Sequence, residues 1–174
     1  MDVWERFREF FEEDDGSLPG VNIRGMPPEV VDRTYRFLRS IGGTLDDCIP
    51  PPTLHFVGRD ESTPVDSVPD AAELVARGEV EPIHFVFSVT FDGIRTPPLG
   101  LWVVEDGIGL DIRMGPEWTP PSAIAYLELL RKIWNDTPNP RLEFEEFARK
   151  EAFESLWSEF LKTEPFSGLK YIQS

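Results

Sequence analysis

Val3, Trp4, Phe7, Phe10 and Phe11 recur at helical spacing, with Glu5, Arg6, Glu9, Glu12 and Glu13 between them, so the chain opens with a predicted amphipathic helix that stops at Asp15-Gly16. The stretch from Ser17 to Gly25 is rich in turn residues and reads as a loop. Pro27-Pro28 then start a second helix, because a first-turn amide has no intrahelical partner for proline to remove. Val31, Tyr35 and Leu38 form its core face, and Gly42-Gly43 close it. From 44 to 70 no period is sustained. Pro50-Pro51-Pro52 impose an extended backbone, Thr53 to Val57 form a short strand, and Asp60 to Pro69 read as a polar surface loop. A brief helix from Asp70 to Arg77 follows, capped by Asp70, with Ala71, Leu74 and Val75 on its buried side.

The period changes from helical to alternating between Ile83 and Met114. Phe85, Phe87, Val89 and Phe91 point one way, and His84, Val86, Ser88 and Thr90 the other. Asp92-Gly93 turns the chain, Leu99, Leu101 and Val103 carry a second strand, and Asp106-Gly107 leads into a third, Ile108 to Met114. In that third strand Leu110, Ile112 and Met114 alternate with Gly109, Asp111 and Arg113, so an acid and a base share the face away from the core. The helical period then returns. Thr119 caps, Pro120-Pro121 start, and Ile124, Leu127, Leu130, Ile133 and Trp134 build a wide apolar stripe that ends over Asn135 to Pro140. Arg141 to Phe144 read as extended, and Phe147 to Leu161 as a last helix using Phe153, Leu156, Trp157 and Phe160; no element is assigned to Phe166 to Ser174. The expected fold class is α+β, an antiparallel β-meander at about 83–114 with helices packed on one face, and residues 1–174 are expected to form a single globular domain.

Composition supports that picture, since 40% hydrophobic and 12% aromatic residues supply enough apolar area to offset chain entropy. Charge adds a constraint on partners. The formal net charge is −15, from 32 acidic against 17 basic side chains. Such a surface repels nucleic-acid phosphates and anionic headgroups and steers a basic protein towards it, so the expected partner is a protein with a basic face, and neither nucleic acid nor membrane. Acidity that serves solubility alone is the competing explanation. A lone cysteine, Cys48, and the absence of a signal-peptide pattern or a long apolar run point to the cytoplasm as the expected location.

The motifs of common chemistries are missing. Cys48, His55 and His84 show neither CxxC nor HxxxH spacing, and no stretch follows the oxygen-rich EF-hand loop, so no metal is expected. Asp46-Asp47 beside Cys48 disfavour a thiolate there, and His84 at a strand start reads as a packed or rim histidine. With 32 acids, paired carboxylates can be drawn at will and carry no weight. Neither GxGxxG nor GxxxxGK[ST] occurs; Ile41-Gly42-Gly43 is a helix stop. No catalytic residue and no cofactor is expected.

What remains is Asp111 and Arg113 on a strand, followed by Met114-Gly115-Pro116-Glu117-Trp118 at the turn into the strongest helix. A rigid sheet face and an aromatic turn presenting Asp111, Arg113, Glu117 and Trp118 would suit a protein interface, because Trp and Arg anchor many interfaces. The same residues also read as an ion pair on a solvated sheet face, with Trp118 packed as a staple ahead of the helix cap.

Gly109-Leu110-Asp111-Ile112-Arg113-Met114-Gly115-Pro116-Glu117-Trp118, followed by Ser122 to Leu130, resembles small acidic proteins that accompany bacterial polymorphic toxins as immunity partners. The resemblance covers about residues 109–130 and transfers neither a fold nor a site. It implies a stoichiometric inhibitor whose acidic surface meets a basic toxin face. Two alternatives stand beside it: a secretion-chaperone-like dimeric binding protein, and an enzyme whose carboxylates converge in a pocket.

Overall fold

The computed structural model describes residues 2–12, 18–44, 51–145 and 149–166. Asp2 caps the first helix, α1 (Val3–Phe7), accepting the Trp4 amide at 3.0 Å, and a 3-10 turn over Arg8–Phe10 extends it. Trp4, Phe7, Phe10 and Phe11 are all buried, as their spacing predicts; Asp15-Gly16 lies outside the described residues. The predicted loop that follows is corrected by the structure. It contains a strand, β1 (Gly20–Arg24), whose Val21 and Ile23 face the core and whose Gly20, Asn22 and Arg24 face away. Its period-two pattern is only five residues long and sits among glycines and a proline, so local signals read as turn. Pairing with two distant strands is what makes it a strand.

The second helix, α2 (Pro28–Ile41), starts at the prolines and buries Val31, Tyr35 and Leu38 as expected. Gly42-Gly43 do not close it with a left-handed turn. Gly42 is extended, at φ −152°, and the chain runs straight into β2 (Gly42–Thr44). The strand expected at Thr53 to Val57 is β3 (Thr53–His55), and it pairs with β4 (Ser62–Pro64), inside the segment read as a polar loop. α3 (Ala71–Ala76) buries Ala71, Ala72 and Val75, while Asp70 occupies the cap position without a side-chain capping bond.

β5 (Ile83–Phe91) turns at Asp92-Gly93, both at positive φ as a tight hairpin requires, into the short β6 (Ile94–Arg95). β7 (Leu99–Val104) and β8 (Gly107–Ile112) complete the meander. The turn between them is Glu105-Asp106, one residue earlier than predicted, and β8 ends before Arg113 and Met114. Thr119 and Ser122 form a reciprocal capping box at the start of α4 (Pro120–Asp136). β9 (Arg141–Glu145) and α5 (Lys150–Phe160) follow, and Phe153, Trp157 and Phe160 of α5 are buried.

Among the described residues the main sheet has seven strands, ordered β2-β5-β7-β8-β1-β9 with β6 on β5, and its pairings are antiparallel. α2, α3 and α4 pack against it. The fold class is therefore α+β, with β1 inserted between the meander and β9. One continuous apolar core joins the inner sheet face, Phe85, Phe87, Leu101, Leu110 and Ile23 among it, to an aromatic cluster built by α1 and α5. There Phe7, Phe10, Phe153 and Phe160 meet edge to face, which suits the ring quadrupoles. No described helix is long and apolar enough to cross a membrane.

Candidate functional site on the outer face of the sheet

Strand alternation and antiparallel register together lay out the outer face in rows. One row runs Val86, Gly100, Asp111, Gly20, Glu145; the next runs His84, Trp102, Gly109, Asn22, Glu143. Glycine lies beside a large polar or aromatic side chain in each, and the large side chains lie down over the glycines. At Gly109 an added Cβ would fall on Asn22 Oδ1; at Gly100 it would come within 2.9 Å of both Asp111 Cγ and His84 Nε2. These two glycines are needed for close approach.

Over Gly100 three side chains from three strands converge. The His84 and Trp102 rings stack at 4.0 Å between centroids, 13° from parallel. Asp111 Oδ2 accepts from Trp102 Nε1 at 3.0 Å and lies 3.0 Å from His84 Nε2. A carboxylate only accepts, so His84 Nε2 carries the hydrogen of this bond. Asp111 is thereby half-buried, at 15% exposure, while His84 keeps 38%.

Beside this cluster lies a cavity of about 350 Å³. Leu18, Val86, Pro97, Pro98 and Ile112 supply apolar walls; His84, Asp111, Arg113 and Glu117 supply the polar groups. Leu18 and Val86 are two of the three exposed large apolar side chains among the described residues, the other being Val57. Their convergence on one concavity is the arrangement expected of a contact surface.

The residues singled out from the sequence separate here. Asp111, Arg113 and Glu117 all line the cavity. Asp111 does not pair with Arg113; its partners are His84 and Trp102, and neither Arg113 nor Glu117 holds an ion pair or a side-chain hydrogen bond among the described residues. Trp118 is not displayed at all. It is 3% exposed, its ring lies 4.7 Å from Phe11 and 5.7 Å from Tyr126, and its Nε1 donates to the Arg113 carbonyl at 2.8 Å. The presenting role expected of it is corrected to a packing one: it draws the 113–118 turn shut, and Gly115 N, donating to Phe11 O at 2.7 Å, pins the same turn to the core. Trp102 and the cavity walls were missed. Alternation places Trp102 outward in β7 and His84 outward in β5, but only the register sets them opposite each other. Cys48 lies outside the described residues.

A second group of charges is buried at α4. Arg131 donates to the Phe160 and Thr163 carbonyls at 2.8 and 3.0 Å, stacks 3.8 Å over the Phe160 ring, and approaches Glu128 Oε2 at 3.5 Å through Nε. Glu128 Oε1 accepts the Phe166 amide at 3.1 Å. Burial pushes the Glu128 carboxyl above the usual carboxylate range and pulls the Arg131 guanidinium below its ordinary value. These groups fasten the chain after α5 onto α4. Tyr126, fully buried, donates to the Leu110 carbonyl at 3.2 Å beneath the outer-face cluster; burial first, and the Asp111 charge second, raise its phenol well above the ordinary value.

Among the described residues no group of three or more His, Cys, Asp or Glu is placed to hold a metal ion. No family model, no curated protein and no solved structure matches this chain. Its function is therefore argued from its own surface.

Proposed function

We propose that this chain is a small acidic protein-binding module of the immunity-inhibitor kind, docking a basic protein on the outer face of its sheet. The observation that carries the reading is the convergence of exposed Leu18 and Val86 on a cavity beside the ordered His84–Trp102–Asp111 cluster. Apolar walls around a rigid polar cluster supply what an interface centre needs, buried contact area and low ordering cost, and the net charge of −15 selects a basic partner and speeds its encounter. The inhibitory role rests on the resemblance of residues 109–130 to immunity proteins.

The test is affinity capture of the tagged chain from its source cells at low and moderate salt, in parallel with Val86→Asp, followed by reconstitution with the purified partner. A stoichiometric, salt-sensitive basic protein that Val86→Asp releases supports the reading. No partner, or one indifferent to Val86→Asp in a folded variant, overturns it. One observation favours a second reading, an enzyme: Asp111 orients the His84 ring at the wall of a cavity, where an imidazole can take part in proton transfer. A hydrolytic activity lost in His84→Phe, with partner binding intact, would select that reading.

A further inference from the structure

We infer that the cavity beside His84 takes one long cationic side chain of the partner, an arginine or a lysine, as the anchor of the interface; this rests on the docking reading above. Four ionisable groups face the cavity. Two are acids, Asp111 and Glu117, one is a base, Arg113, and His84 is neutral in the formal count, which leaves one net negative charge at the pocket of a chain that carries −15 overall. The hydrogen bonding sharpens the choice. Asp111 spends Oδ2 on Trp102 and His84, so the acceptors left for a ligand are Asp111 Oδ1 and the carboxylate of Glu117, which has no partner among the described residues. Both call for a donor.

The walls call for something else. Leu18, Val86, Pro97, Pro98 and Ile112 offer only apolar surface, which a compact ammonium or a short polar side chain would leave unfilled. A lysine or arginine meets both demands, since its methylene stem lies along apolar surface while its head reaches a polar group. The volume, about 350 Å³, is ample for a side chain of that size. The pocket is also ordered cheaply. The stacked His84 and Trp102 rings and the two bonds to Asp111 fix the acceptor before binding, so the partner's side chain bears most of the entropy loss.

Arg113 makes the inference sharp, because it opposes a cationic anchor and would attract an acidic one. The experiment uses the isotopically labelled full chain at low ionic strength, titrated separately with N-acetyl-arginine amide, N-acetyl-norleucine amide and N-acetyl-glutamate amide, with the Trp102 indole N–H and the Gly100 amide as reporters. The arginine probe is expected to shift both resonances saturably and to bind about fivefold to tenfold more tightly than the norleucine probe, an advantage that added salt erodes. Glu117→Gln should remove most of that advantage and Arg113→Gln should increase it. Equal binding of the norleucine probe, tighter binding of the glutamate probe, weaker arginine binding in Arg113→Gln, or no shift with any probe would each overturn the inference. A captured partner that Val86→Asp still releases, alongside an arginine probe no better than norleucine, sinks only the choice of side chain. A partner indifferent to Val86→Asp sinks the docking reading itself.

Discussion

Replacing Trp118 by alanine should unfold more of this protein's stability than any surface change at the cavity. The indole is 3% exposed and packs on Phe11 and Tyr126, so truncation removes a large apolar area and leaves a cavity between α1, α4 and the 113–118 turn. Trp→Ala changes of this kind cost about 3–5 kcal/mol. The bond from Nε1 to the Arg113 carbonyl adds about 1 kcal/mol, because that carbonyl must find another donor. We expect a loss of about 4–6 kcal/mol, against a total stability of roughly 5–15 kcal/mol for a domain. For a chain of 174 residues this lowers Tm by about 8–24 °C. Urea unfolding followed by far-ultraviolet circular dichroism, with a thermal melt, gives both numbers. Trp118→Phe separates the two contributions: it keeps a ring against Phe11 and loses only the donor and part of the area, so about 1–2 kcal/mol should go. A loss below about 1 kcal/mol in Trp118→Ala would refute the packing role and return Trp118 to the surface, since exposed substitutions fall within about 0.5 kcal/mol.

Two further outcomes are expected. Gly100→Ala places a Cβ within 2.9 Å of Asp111 Cγ and His84 Nε2, so it should break the His84–Asp111 bond, cost about 1–3 kcal/mol and move the Trp102 indole N–H resonance; an unmoved resonance would show that the outer face has room the structure denies. Glu128 has its pKa raised in the folded state, so the folded protein holds that proton more tightly than the unfolded chain, and this contribution to stability is lost as pH rises from the ordinary carboxylate range through the raised value. Glu128→Gln does not titrate; its stability relative to the native chain should therefore increase with pH across that window in urea midpoints, and a relative stability of the variant that falls with pH instead would contradict the assigned direction.

The parts of the fold that were readable along the chain are those whose signal is local. α4 announces itself by Thr119, two prolines and a long apolar stripe, and the meander by alternation and Asp-Gly turns, because capping, first-turn proline and strand periodicity act within a few residues. β1 was misread for the opposite reason. Gly20–Arg24 is stabilised by β8 and β9, whose paired residues lie more than 80 positions along the chain, and no local preference encodes that.

The candidate site divides along the same line. Asp111, Arg113 and Glu117 were legible as charges near one turn, and the structure brings all three to one cavity. Their chemistry was not legible. The proximity of Asp111 and Arg113 along the chain suggests an ion pair, yet the register across β5, β7 and β8 hands the carboxylate to His84 and Trp102. Trp118 carried the same ambiguity, for an indole before a helix cap can anchor a partner or plug a core. The sequence by itself determined the class of the fold, its most regular elements and the sign of its surface, because these follow from local periodicity and from a sum of charges. Only the tertiary structure decided which side chains share a cavity, which are spent on one another and which are buried, because strand register and close packing join residues that no sequence spacing relates.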